Sequence, residues 1–144
     1  MISVDTNILL HAQNADSADH ELAYAFLVEC GGRDGVVICD LVLVELYVLL
    51  RNPAVVRHPL TAAQAADVCG VYRQNPHWRT VENAPVMERV WSSVRQPGFA
   101  RRRIFDARLA ATLLHHGVTE FATANIKDFE GLGFSRVWNP LERA

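Results

Sequence analysis

The run Val36-Val37-Ile38-Cys39 constrains the fold more than any other feature of the chain. Four apolar residues, three of them β-branched, suit a strand buried on both faces, as in a parallel sheet covered by helices. Further strands are expected at Ile2–Val4, Glu120–Ala124 and Phe134–Trp138, with a weaker one at His77–Val81. The intervening segments read as helices. Thr6-Asn7 opens an apolar turn, Ile8-Leu9-Leu10, and a helix over His20–Cys30 has Asp19 or Ser17 as its cap and stops at Gly31-Gly32. Asp40 is expected to cap a helix over Leu41–Arg51 that Asn52-Pro53 closes, and Thr61 with Gln64 forms a capping box for a helix reaching about Gln74. Helices over Ala84–Arg95 and Ile104–His116 follow, the first broken by Gln96-Pro97-Gly98 and the second capped by Gly117. Strands alternating with helices predict an α/β fold: a three-layer α/β/α sandwich around a mainly parallel sheet of four to five strands.

At 144 residues, without repeat, low-complexity tract or linker, the chain reads as a single domain over residues 1–144. No apolar run approaches the roughly 20 residues of a membrane span. The N-terminus meets Asp5 almost at once and has no basic segment, so a cytoplasmic chain without membrane contact is expected. The three cysteines, Cys30, Cys39 and Cys69, are odd in number and far apart, which argues for buried thiols rather than a disulfide or zinc framework.

Acids at strand ends carry the chemistry. In open α/β sheets the ligand site lies beyond the carboxyl ends of the strands. Asp5 stands at such an end, where it serves as a helix cap or as a ligand, and Asn7 is placed to support it. Glu45 lies within Leu41-Val42-Leu43-Val44-Glu45-Leu46-Tyr47-Val48-Leu49-Leu50, apolar nearly all round. The helix is therefore expected to be buried, and a buried carboxylate must be paired or bind a metal. Asp106 opens an Ala-rich helix, where the dipole alone favours an acid. Asp128 follows an apolar strand in what reads as a loop. Together these four carboxylates make an all-oxygen site suited to Mg²⁺ or Mn²⁺, able to polarise a phosphoryl oxygen and activate water, with Glu45 orienting that water.

The net charge of −2 does not exclude a nucleic-acid partner, because setting these four acids aside leaves +2 for the rest. Arg95, Arg101, Arg102 and Arg103 form an acid-free stretch that is either a solvated loop or a phosphate contact. The chain has no GxSxG elbow, P-loop, GxGxxG after the first strand, or HExxH pairing of its six histidines.

Val4-Asp5-Thr6-Asn7, Glu45 in an apolar helix, Asp106 before Ala107, and Thr123-Ala124-Asn125-Ile126-Lys127-Asp128-Phe129 together resemble PIN-domain proteins, specifically VapC-type toxins. The closing Trp138-Asn139-Pro140 is similar to that family's C-terminal end, so the likeness spans essentially the whole chain. The resemblance implies an α/β/α sandwich, Mg²⁺- or Mn²⁺-dependent endoribonuclease activity, a homodimer, and a VapB-type antitoxin encoded beside it. Asp5 and Asp106 would then be metal ligands and Glu45 the third acid. Some relatives carry their fourth acid where this chain has Asn125, with Asp128 farther on, so either residue completes the set.

Other functions have weaker support. A PIN nuclease of RNA processing needs no antitoxin, but the absence of an added RNA-binding domain favours the toxin. A phosphatase with a strand-end Asp nucleophile wants a second acid two residues on, where Asn7 stands. A silent binding module leaves Glu45 without a purpose.

Overall fold

A computed structural model describes residues 1–142. The apolar runs form five strands: β1 (Ile2–Val4), β2 (Val36–Cys39), β3 (Trp78–Val81), β4 (Glu120–Ala122) and β5 (Arg136–Trp138). All pair in parallel in the order β3-β2-β1-β4-β5. β1 and β2 are buried at every position, as fully apolar strands require when both faces are covered.

Among the described residues seven helices accompany the sheet: α1 (Thr6–Gln13), α2 (His20–Gly31), α3 (Asp40–Leu50), α4 (Ala62–Arg73), α5 (Met87–Ser93), α6 (Arg103–His115) and α7 (Ile126–Phe129). Helix α1 packs against α2 and α3, α3 also against α4, and α6 touches both α5 and α7. Right-handed crossovers put the first group on one face and the second on the other. The expected three-layer α/β/α sandwich is therefore present, with all five strands parallel. The main core lies between the sheet and α1 to α3, around Val4, Ile8, Leu9, Ile38, Leu46 and Phe121. A smaller cluster of Val86, Val90, Ala107 and Ala111 joins α5 to α6.

Strand order reverses at β1: the chain steps outward through β2 and β3, then returns to lay β4 on the other side. Such a reversal opens a crevice at the carboxyl edge, between the loops leaving β1 and β4. Asp5 follows β1 and Thr123 follows β4, so both sit in that crevice.

Several local expectations need correction. Pro85 disfavours helical backbone at Ala84, so α5 begins at Met87 and ends at Ser93 rather than running from Ala84 to Arg95. Cys39, not Asp40, holds the cap position of α3; Asp40 is the first helical residue and pairs with Arg73 at 3.3 Å. The capping box of Thr61 and Gln64 forms as expected. All three thiols are free, with Cys30 and Cys39 buried and Cys69 half-buried. No helix among the described residues is long and apolar enough to cross a membrane.

Candidate active site

Asp5 both caps a helix and faces the crevice. Its Oδ1 accepts the backbone N–H of Thr6 at 2.8 Å, which starts α1. Its Oδ2 accepts the Thr123 hydroxyl at 2.7 Å and the Asn7 amide at 3.3 Å. Asn7 also donates to the Thr123 hydroxyl at 3.3 Å and accepts the backbone N–H of Ala124 at 3.2 Å, tying α1 to the end of β4. The supporting role expected of Asn7 is thus seen in its contacts.

Thr123 is the hub that sequence reading missed. Fully buried, it donates to Asp5 and accepts from Asn7 and from the backbone N–H of Asn125 at 3.0 Å. Replacing it by valine keeps the shape and strands these partners. The Thr123→Val variant should lose about 1–3 kcal/mol, as expected for a buried hydrogen-bonded group, read as a lowered midpoint in urea. An unchanged midpoint would remove Thr123 from this role.

Glu45 departs from expectation. It lies on an exposed side of α3 rather than in the interior, together with Val44, 63% exposed, and Val48, 56% exposed. The outer residues of α3 are apolar, yet none of the described residues covers them. Glu45 still reaches the crevice, where its Oε2 accepts the Thr6 hydroxyl at 3.1 Å; that hydroxyl also points at the carbonyl of Val42 at 3.3 Å.

Asp106 lies in the first turn of α6, at the carboxyl edge of the sheet and on the opposite layer from Glu45. Asp128 belongs to α7, a single turn, where a loop was expected. The Arg103 guanidinium holds that turn, donating to the backbone carbonyls of Asp128 at 3.1 Å and of Glu130. Arg103 is therefore engaged within the chain, unlike the exposed Arg101 and Arg102.

Asp5, Glu45, Asp106 and Asp128 line one cleft of about 620 Å³, which Arg102, Arg103, Phe105 and Arg108 complete. Asn125 does not line it and borders a neighbouring depression, which Asp128 also reaches. Burial pushes the Asp5 carboxyl up to about 6 against the hydrogen bonds of Thr123 and Thr6, and the charges of Glu45 and Asp106 raise it further. Desolvation, followed by the charges of Asp128 and Glu45, pushes Asp106 up to about 6 against the pull of Arg103.

The donor set is all carboxylate oxygen, which a hard cation prefers. Among the described residues no three acid, imidazole or thiol groups converge closely enough to chelate an ion alone. Mg²⁺ does not require that, since it keeps several waters and takes one or two carboxylates. The mutual repulsion at Asp5 and Asp106 is what a cation relieves. These residues fit a hydrated divalent ion.

Comparison with known proteins agrees with this geometry. The PIN domain family model matches residues 2–134. Ribonuclease VapC24 of Mycobacterium tuberculosis is 60% identical over 141 residues, covering 98% of this chain and 97% of that protein. Among solved structures, the sarcin–ricin loop cleaving toxin VapC20 of the same species superposes with a TM-score of 0.69 at 22% identity, over 93% of this chain and 96% of that one. VapBC2 from Rickettsia felis, bound to a promoter DNA fragment, gives 0.63 at 17% identity over 96% of this chain and 100% of that one. These two structural likenesses speak to fold. The family match and the near-full-length relative speak to descent, and this chain belongs to the PIN-domain family, in its VapC branch.

Proposed function

We propose that the chain is a metal-dependent endoribonuclease acting as the toxin of a type II toxin–antitoxin pair. The observation that carries this reading is the convergence of Asp5, Glu45, Asp106 and Asp128 on one cleft, with two of the four carboxyls raised toward neutrality. In it, Asp5 and Asp106 would hold Mg²⁺ or Mn²⁺. The bound ion supplies a Lewis acid for a phosphoryl oxygen and lowers the pKa of a water. Glu45, steadied by the Thr6 hydroxyl, would orient the attacking water and accept its proton. Asp128, fixed by the grip of Arg103 on its turn, would complete the negative field around the ion.

RNA as substrate is supported by the cleft's other wall. Phe105, 62% exposed, offers an aromatic face on which a base stacks, and Arg102 lies beside it. Incubating the protein with labelled RNA and with a synthetic phosphomonoester, with and without Mn²⁺ and EDTA, tests the reading. Cleavage of RNA alone, abolished by EDTA, is expected. Phosphomonoester hydrolysis would move the chain to the phosphatases.

The exposed arginines give a second measurement. If Arg101 and Arg102 meet backbone phosphates, their double replacement by alanine should flatten the salt dependence of RNA binding. On a log–log plot the slope should fall by roughly 0.7 for each phosphate that is no longer neutralised. An unchanged slope would make this stretch a solvated loop.

As a toxin, the chain requires a silencing partner. An antitoxin segment carrying an arginine suits the cleft, because a planar guanidinium binds paired carboxylates in a bidentate fashion. Tyr24 and Tyr47 remain accessible to such a segment, whereas Leu50 is committed to the core. Co-expression with the product of the neighbouring reading frame should give a co-purifying, inactive complex. A homodimer in solution is part of the same reading.

A further inference from the structure

Arg108 carries a cleft charge that no described residue answers. Its Nε–H is shut off from solvent and finds no acceptor. Among the described residues the guanidinium takes part in no ion pair. A desolvated donor on a permanent cation is costly unless something supplies the missing acceptor. Arg103, by contrast, answers the charge on Asp106 and grips the turn that carries Asp128. Among the described residues Arg108 has no such contact, though it lines the same cleft. Leu41, Val44 and Leu109 line the same cleft as Arg108, beside the four acids. An anion reaching this part of the cleft meets a guanidinium with no described ion-pair partner, a group suited to a phosphate.

We propose that Arg108 binds a backbone phosphate of the RNA adjacent to the one placed at the carboxylates, and so sets the register of the strand in the cleft. The assignment rests on the ribonuclease reading. A carboxylate would also satisfy the guanidinium, but the substrate brings regularly spaced phosphates past this position. Arg108 is accordingly a binding and positioning residue, distinct from the acids that act on the reacting bond.

The test uses an oligoribonucleotide cleaved at one site, with single 2′-deoxy methylphosphonate linkages placed in turn on either side. Matched 2′-deoxy phosphodiesters serve as controls. The methylphosphonate removes one negative charge while preserving the chain. At one flanking position the wild-type protein should lose at least about tenfold in cleavage rate, the scale of a charge-assisted hydrogen bond. Arg108→Met, which keeps the aliphatic stem, should be slower with the unmodified strand and indifferent to the charge at that position. Arg108→Lys should recover part of the discrimination. A variant that discriminates as the wild type does would overturn the assignment while leaving the ribonuclease intact. A wild type that cleaves no RNA would overturn both. Stability gives a second readout: removing an unanswered cation should leave the melting temperature of Arg108→Met equal or higher, and a clear fall would assign Arg108 a structural role.

Discussion

Asp106→Asn should abolish metal-dependent cleavage and, above pH 6, raise the melting temperature of the metal-free protein. The two effects share one origin. In the folded chain Asp106 is desolvated and faces the charges of Asp128 and Glu45. Its ionised form is useful only when a cation is present. Asparagine removes a ligand charge, so cleavage should fall by at least about a hundredfold, the upper end of what disturbing a metal site's support costs. The same replacement removes like-charge repulsion, which in a half-exposed position and after solvent screening is worth about 2–5 °C in midpoint. Asp5→Asn makes the contrast. It should be equally inactive, yet it gains less stability or loses some, because an amide cannot accept from both Thr6 and the paired Thr123 and Asn7 donors as the carboxylate does. Cleavage assays with Mn²⁺ and thermal melts in EDTA measure both quantities. Full activity in either variant would remove that residue from the metal site, and an unfolded Asp106→Asn would make its carboxylate structural.

The legibility of this site differs from residue to residue, for physical reasons. Asp5 is readable because a single position satisfies two local rules: an acid ending an apolar strand, and a cap opening a helix. The capping box at Thr61 is local in the same way. Sequence places Glu45 on a helix, which the structure shows as α3 lining the cleft, but misjudges its burial. Hydropathy reports that Val44 and Val48 avoid water, but not which molecule covers them, and the described residues do not. Thr123 stands in a quoted motif without a role, since its bond to Asp5 joins residues 118 apart and leaves no local periodicity. Arg103 looks like one of four cations in an acid-free stretch for the same reason; its acceptors are carbonyls brought near only by the fold. The choice between Asn125 and Asp128 turns on a single helical turn too short to register as a pattern.

Acid pH should stabilise the metal-free protein and weaken its hold on the metal. Asp5 and Asp106 have carboxyls raised from 3.8 to about 6 in the folded chain. Between these values the native state binds protons that the unfolded state has released. The stability they contribute is complete below about pH 4 and is lost as pH rises through about 6. Melts in EDTA should therefore show a midpoint that declines from pH 5 to pH 7. The trend should shrink in Asp106→Asn, which has one fewer such proton. Metal binding runs the other way, since the ion needs both carboxylates ionised and must displace whatever protons they hold. With two groups titrating near 6, apparent affinity for Mn²⁺ should fall by about a hundredfold from pH 7.5 to pH 5, and by about tenfold when only one proton competes. Calorimetric titrations at the two pH values, repeated with Asp106→Asn at metal concentrations suited to its weaker site, measure this directly. A metal-free midpoint that rises over the same interval would mean that these carboxyls are stabilised as anions by the fold. Asp5 and Asp106 would then be structural acids, and a cation would no longer be needed to explain why the chain gathers four of them around one cleft.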